Sequence, residues 1–241
     1  HPIHLNGVNL EKPIVPQGGS NIPEMLQKNV DAVVEQGRRS GRPMFAHVNH
    51  PNFYYAITAE DLIALDHAEG DGFVEMYNGH PGVRNYGDAQ HPDMERMWDI
   101  VLTKRLIERK TTVMFGIATD DAHEYTAWGV REVNPGRGWV MVRSARLTPD
   151  SISRAMKQGD FYNSTGVTLK ALMMNDGVIE LEVLAEKSRE WWKSLLNRCL
   201  KSHHASEIYV LLEYLPCSRR CFSSRCLPAS QDLEKCLSLK R

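Results

Sequence analysis

Gly116-Ile117-Ala118-Thr119-Asp120-Asp121-Ala122-His123 is the stretch on which the fold turns. An apolar run, Val113, Met114, Phe115 and Ile117, ends here in two carboxylates and an imidazole. Strands buried on both faces of a parallel sheet read as such runs, and in barrels of parallel strands the chemistry gathers at their carboxyl ends. The pattern predicts that Asp121 and His123 lie where a strand opens into a loop, with the small Ala122 permitting the break. Two aspartates capping a helix beside a surface histidine would give the same letters, so the rest of the chain must decide.

The histidines do so. Eight of the ten lie at or before position 123. Pro43-Met44-Phe45-Ala46-His47-Val48-Asn49-His50-Pro51 reads as a buried strand with a proline stop, which places His50 at its carboxyl end and aims His47 elsewhere. A neutral imidazole is a good ligand for zinc, manganese or iron. His4 lies in the alternating stretch Pro2-Ile3-His4-Leu5-Asn6-Gly7-Val8-Asn9-Leu10, and reads either as a ligand or as a half-buried strand residue. Gly72-Phe73-Val74-Glu75-Met76-Tyr77-Asn78-Gly79-His80 is another short apolar strand with a polar end, where Glu75 is placed to orient a ligand and His80 to touch substrate.

Helical signals separate these strands. Asn21 and Glu24 have capping-box spacing, Pro23 sits in the first turn, and Met25, Leu26, Val30, Val33 and Val34 give an apolar face up to Gly37. Thr58 and Asp61 open a second helix with Leu62, Ile63 and Leu65. A third, from about His91-Pro92, bears Met94, Met97, Trp98, Val101, Leu102 and Ile107 as core residues. The alternation of strand and helix predicts an α/β fold with a parallel sheet or barrel and its ligands at the strand carboxyl ends. Gly138 to Val142 reads as a further strand, and Thr148-Pro149 starts a helix ending near Gly159. Asn163-Ser164-Thr165 matches a glycosylation acceptor pattern.

The net charge of −1 hides an asymmetry: residues 1–186 carry 18 basic and 25 acidic side chains, residues 187–241 carry 11 and 5. The acidic body argues against a nucleic-acid grip, which needs clustered Lys and Arg, and suits a pocket for cations. No apolar run is long enough to span a membrane. The five cysteines, Cys199, Cys217, Cys221, Cys226 and Cys236, fit neither a zinc ribbon nor a closed disulfide set, and a cysteine-free body weakly favours a reducing, cytoplasmic setting. The expected organisation is a hydrolase domain over residues 1–170 and an extension over 171–241. After about Glu186 the extension changes character. Trp191, Trp192, Leu195, Leu196, Cys199 and Leu200 form an apolar helical stripe, and the Cys/Ser/Arg/Leu-rich stretch beyond reads as aberrant.

In order and spacing, four segments resemble the polymerase-and-histidinol-phosphatase (PHP) family of metal-dependent phosphoesterases. Ile3-His4-Leu5-Asn6-Gly7-Val8 is similar to the family's mid-domain His-φ-x-Gly-φ element, His50-Pro51 to its strand-terminal His-Pro, Phe73-Val74-Glu75-Met76-Tyr77-Asn78 to the strand that follows, and Asp121-Ala122-His123 to its late Asp-x-His pair. The resemblance implies a distorted (β/α) barrel, here incomplete, with His4, His50, Asp121 and His123 as ligands to two or three divalent ions, zinc, manganese or iron. The family's opening His-x-His strand, and the Asp, His and Glu that follow it, have no counterpart here. The chain begins at His1 rather than Met, so the expectation is a start inside a longer protein, with part of the ligand set upstream and weak metal binding by this chain alone.

The expected chemistry, of the longer protein and not of this chain alone, is hydrolysis of a small-molecule phosphate ester through a metal-activated hydroxide. Asp121 supplies charge and bridges ions, Arg137 between Gly136 and Gly138 is the first candidate for a cationic clamp, Arg143 is the second, and Tyr125 and His80 shape the leaving-group pocket. An amidohydrolase-like enzyme acting on carbon is the alternative. It usually needs a bridging lysine, and Lys12, Lys28 and Lys110 all sit in polar surroundings. A non-catalytic binding module with the same fold is the third reading. The oligomeric state is left open.

Overall fold

The computed structural model describes residues 3–129, 131–175 and 178–184. Its frame is a four-stranded sheet of β1 (Leu5–Val8), β2 (Phe45–Val48), β3 (Gly72–Asn78) and β4 (Phe115–Thr119), hydrogen-bonded in that order. The strands β2, β3 and β4 are parallel, and helices connect them as the alternation predicts. Among the described residues the sheet is open and does not close into a barrel.

One strand departs from the expected order, since β1 is antiparallel to β2, with Leu5 opposite Val48 and Val8 opposite Phe45. The reason lies in the connection to α1 (Ile22–Ser40). Gln36 accepts the backbone N–H groups of Glu11 and Lys12 at 2.8 and 3.0 Å, and Asn29 accepts that of Gln17 at 2.9 Å. The chain therefore runs back along the helix before entering it, one reversal more than a plain crossover makes.

The helix ends follow their local signals. Asn21 caps α1 by accepting from Glu24 N–H, while the Glu24 carboxylate turns to Ser20 rather than completing the box on Asn21. The helix passes Gly37, which packs against Met44, and stops at Gly41 with φ of 71°. Thr58 and Asp61 form a full capping box on α2 (Ala59–Ala64). The helix α3 (Met94–Leu102) buries Met94, Met97, Trp98, Val101 and Leu102 as expected. It then loosens into a π-helical turn over Thr103–Glu108, and Ile107 is exposed instead of joining the core. Position 105, four after Val101, continues the buried stripe. It holds Arg105, whose guanidinium donates to the carbonyls of Leu65 and Thr112, and burial pushes its pKa down.

A second layer completes the first unit of the chain, which ends at Thr165. Here β5 (Trp139–Val142) pairs antiparallel with β6 (Phe161–Ser164), joined by α4 (Pro149–Lys157) under a Thr148 cap. Phe45, Phe73 and Phe115 stack across the sheet with ring centroids 4.3 and 5.3 Å apart, and Phe161 closes over them. The second unit contains β7 (Leu169–Asn175) and β8 (Val178–Val183), an antiparallel pair. The tryptophan stripe at 191–200 and all five cysteines lie outside the described residues. No helix among the described residues is long and apolar enough to cross a membrane.

Asn163, which opens the glycosylation-like pattern, has a structural role in the interior. Its side chain is buried, accepts from Ala118 N–H at 2.9 Å and donates to Gly116 O at 2.8 Å, so it serves β4 as a third strand would. Asn163→Ala strands both backbone groups in the interior, and urea unfolding should show a loss of roughly 2–4 kcal/mol.

Candidate functional site

The carboxyl ends of β2, β3 and β4 meet at one edge of the sheet, and the antiparallel β1 brings its amino end to the same place. Asn49 N–H donates to His4 O at 3.1 Å, which ties the entry of β1 to the exit of β2. His4 and His50, 46 positions apart, thus face each other with Nδ1 and Nε2 at 3.1 Å. Two nitrogens on one tetrahedral ion stand roughly 3.3 Å apart. Asp121 Oδ2 lies 4.0 Å from His50 Nε2. His4, His50 and Asp121 make a row of two such contacts, and among the described residues no group of three or more His, Cys, Asp or Glu side chains that could hold an ion is found.

Protonation states follow from the partners. Burial is the main force pushing the His50 pKa down, helped by the nearby His4 and His80 and opposed by Asp121, so His50 is neutral near pH 7. His123 Nδ1 is 2.6 Å from the backbone oxygen of Asp121, an atom that can only accept, so Nδ1 carries a proton and Nε2 is the nitrogen left to face a ligand. A histidine that donates one nitrogen to a carbonyl and offers the other is in the state a metal ligand requires. His80 is set the other way: its Nδ1 accepts from Gly82 N–H at 2.9 Å, which leaves Nε2–H as a donor. Its ring stands 5.9 Å from that of His123.

Behind this row lies Glu75, 1% exposed. Its Oε2 accepts from His50 N–H at 2.7 Å and from Asn78 Nδ2 at 2.8 Å, and its Oε1 accepts from Asn49 Nδ2 at 3.2 Å. Burial raises the Glu75 pKa, with the bonds from Asn78 and His50 opposing. Asn78 has the role that sequence reading missed. Its Nδ2 also reaches Asp121 Oδ2 at 3.2 Å, and its Oδ1 accepts from His80 N–H at 2.8 Å. In a regular strand residues three apart face opposite sides, but the register of β3 shifts between Glu75 and Tyr77 and turns both polar side chains inward. An amide closing an apolar strand was the visible signal.

The candidate clamps lie elsewhere. Gly136, Arg137 and Gly138 direct their backbone N–H groups at the Asp120 carboxylate, at 3.0, 2.7 and 2.8 Å. Gly138 therefore lets the loop approach β4, since a Cβ there would stand 2.7 Å from Thr119 O. The Arg137 guanidinium donates to Gly129 O at 2.6 Å, while its stem lies against Gly79, next to His80. Arg143 pairs with Asp160 at 2.6 Å, at the end of β5 away from this edge, so it is not a clamp. Tyr125 is exposed and donates to Ala122 O at 3.0 Å. His47 points at Glu75, its Nδ1 3.8 Å from Oε1, and burial lowers its pKa to about 4, so the pair is not ionic near neutrality.

Comparison of the chain with protein-family models, with curated proteins and with solved structures finds no match.

His47 generates a pH dependence. Below its ordinary value of 6.5 the unfolded chain takes up a proton that the folded chain refuses until about pH 4. Stability should fall across that window by up to roughly 3 kcal/mol and level off below it. Glu75 acts in the opposite sense, because its folded carboxyl binds a proton above its ordinary 4.5. Urea unfolding from pH 7 to 4 should show a shallower acid decline for His47→Gln, and an unchanged slope would assign the decline to another group.

Proposed function

We propose that this chain carries residues of a divalent-metal hydrolytic site that cleaves a phosphate ester of a small molecule. The observation that carries the reading is the convergence of His4, His50 and Asp121, from three distant segments, with separations of 3.1 and 4.0 Å at one sheet edge. The donor types suit the ions: neutral imidazole and carboxylate bind zinc, manganese and iron, and burial favours the neutral form of His50. His4, His50, Asp121 and His123 would hold them. Bound ions of this kind acidify water near neutral pH and offset the charge of a phosphate.

The chain's own groups do the rest. Glu75 holds the His50 backbone, and Asn78 holds the Asp121 carboxylate and the backbone of His80, so the row is oriented from behind. His80 presents Nε2–H, a donor suited to a phosphoryl or leaving-group oxygen, but it is a poor proton acceptor because Nδ1 is already engaged. The Arg137 stem lies against Gly79 beside His80, but its guanidinium donates to Gly129 O and would have to leave that bond to reach an outer phosphate oxygen. The resemblance to PHP phosphoesterases agrees with this division of roles.

Calorimetric titration with Mn²⁺ and Zn²⁺, with phosphate release followed on a panel that also includes carboxylic esters and amides, tests the reading. His50→Ala and Asp121→Asn should abolish or strongly weaken binding, and Glu75→Gln, which touches the site only from behind, should weaken it roughly 10–100-fold. Metal affinity indifferent to all three changes, or turnover of carboxylic esters or amides alone, would overturn it.

A further inference from the structure

The exposed aromatic side chains are unevenly placed. Among the described residues, the Tyr and Trp side chains counted as exposed are Tyr54, Tyr86, Tyr125 and Trp128, at 62% to 81% exposure. All four lie on the loops that leave the carboxyl ends of β2, β3 and β4, the edge that holds the candidate site. Among the described residues of the same loops, no large aliphatic side chain is exposed. Val15, Ile107, Met141 and Leu147, which are exposed, lie on other segments.

One of the four is linked to the site by ring contacts. Tyr54 meets Phe53 edge-on at 4.5 Å, and Phe53 stands 5.1 Å from His50 and 6.0 Å from His80. These separations are those of interacting rings. The backbone that presents the wall is unusual. His50, Tyr54, Tyr55 and Asp121 have φ of 25°, 54°, 52° and 51°, a left-handed region that bulky residues rarely enter. Apart from glycine, the described chain otherwise has positive φ only at Asn9 and Lys110. Such conformations persist where surrounding structure enforces them, and they cluster at ligand sites.

We infer that the ester's non-phosphate part is a planar aromatic group, seated against the Phe53–Tyr54 wall while its phosphate faces His50, His80 and Asp121. The inference rests on the phosphoester reading and narrows it. Tyr and Trp offer wide flat faces at low cost in side-chain entropy, and their outer ends remain in water. A flexible acyl chain would call for aliphatic lining, which is not exposed among the described residues of the rim.

Phenylphosphonate and methylphosphonate carry the same anionic head on a carbon–phosphorus bond that phosphoester hydrolysis does not break. They separate the aromatic inference from the reading beneath it. Each is titrated by calorimetry into the full chain with Mn²⁺ present. The wild type should bind phenylphosphonate roughly tenfold or more tightly than methylphosphonate, and Tyr54→Ala should bring the ratio near unity. A thermal melt reports whether the variant is folded, and Trp128→Ala, also at an exposed position, gives a second reading of the ratio. Equal affinities in the wild type, or a ratio that a folded Tyr54→Ala leaves unchanged, overturn the aromatic inference and leave the phosphoester reading standing. Failure of both phosphonates to bind overturns both.

Discussion

A buried carboxyl group, that of Glu75, is the constraint on which the candidate site depends. It lies in the middle of a parallel sheet, where burying a charge is costly unless hydrogen bonds replace water. Three donors do so, His50 N–H and the amides of Asn78 and Asn49, and each belongs to a residue at or beside the functional edge. The same bonds that make Glu75 tolerable in the interior also hold His50 in its left-handed turn and Asn78 under Asp121. Remove the acceptor and three interior donors lose their partner at once, so stability of the sheet and order at the site are one property here.

The direction of β1 is the second requirement. His4 precedes its strand whereas His50 and Asp121 follow theirs, so in an all-parallel sheet His4 would emerge at the opposite edge. The added reversal along α1, fastened by Gln36 and Asn29, places the start of β1 beside the end of β2. Polar side chains on an otherwise unremarkable helix face thus decide whether the three groups can meet at all.

What was legible in the sequence was local. The caps at Asn21, Thr58 and Thr148, the parallel strands, and the polar endings at His50, Asn78 and Asp121 all follow from short-range rules about where apolar runs stop. Interactions distant in sequence were not legible. Nothing near Asn163 shows that its amide will bind β4, and nothing near Gly136 to Gly138 shows that the loop will close on Asp120 rather than on a ligand. The inward turn of the Asn78 side chain was hidden by the bulge, since regular alternation assigns it to the face opposite Glu75. Ile107 was misplaced because its apolar character outweighed its phase: the stripe runs through position 105, where an arginine satisfied by backbone carbonyls takes the buried place.

The adjacent carboxylates at the end of β4 divide two tasks that one group could not perform. Asp120 is occupied by three backbone N–H groups and fixes the loop that brings Arg137 alongside Gly79. A carboxylate so engaged has little lone-pair capacity left for an ion. Asp121 takes only an amide of Asn78 at 3.2 Å and approaches His50 at 4.0 Å, so its oxygens remain available. The left-handed turn at Asp121 separates the two side chains, sending one back to the scaffold and the other toward the histidines. A strand continued regularly through both positions would also have sent them to opposite faces, but without the turn by which His123 donates to the Asp121 carbonyl. The strain at this residue therefore accounts for the orientation of both members of the Asp-x-His pair.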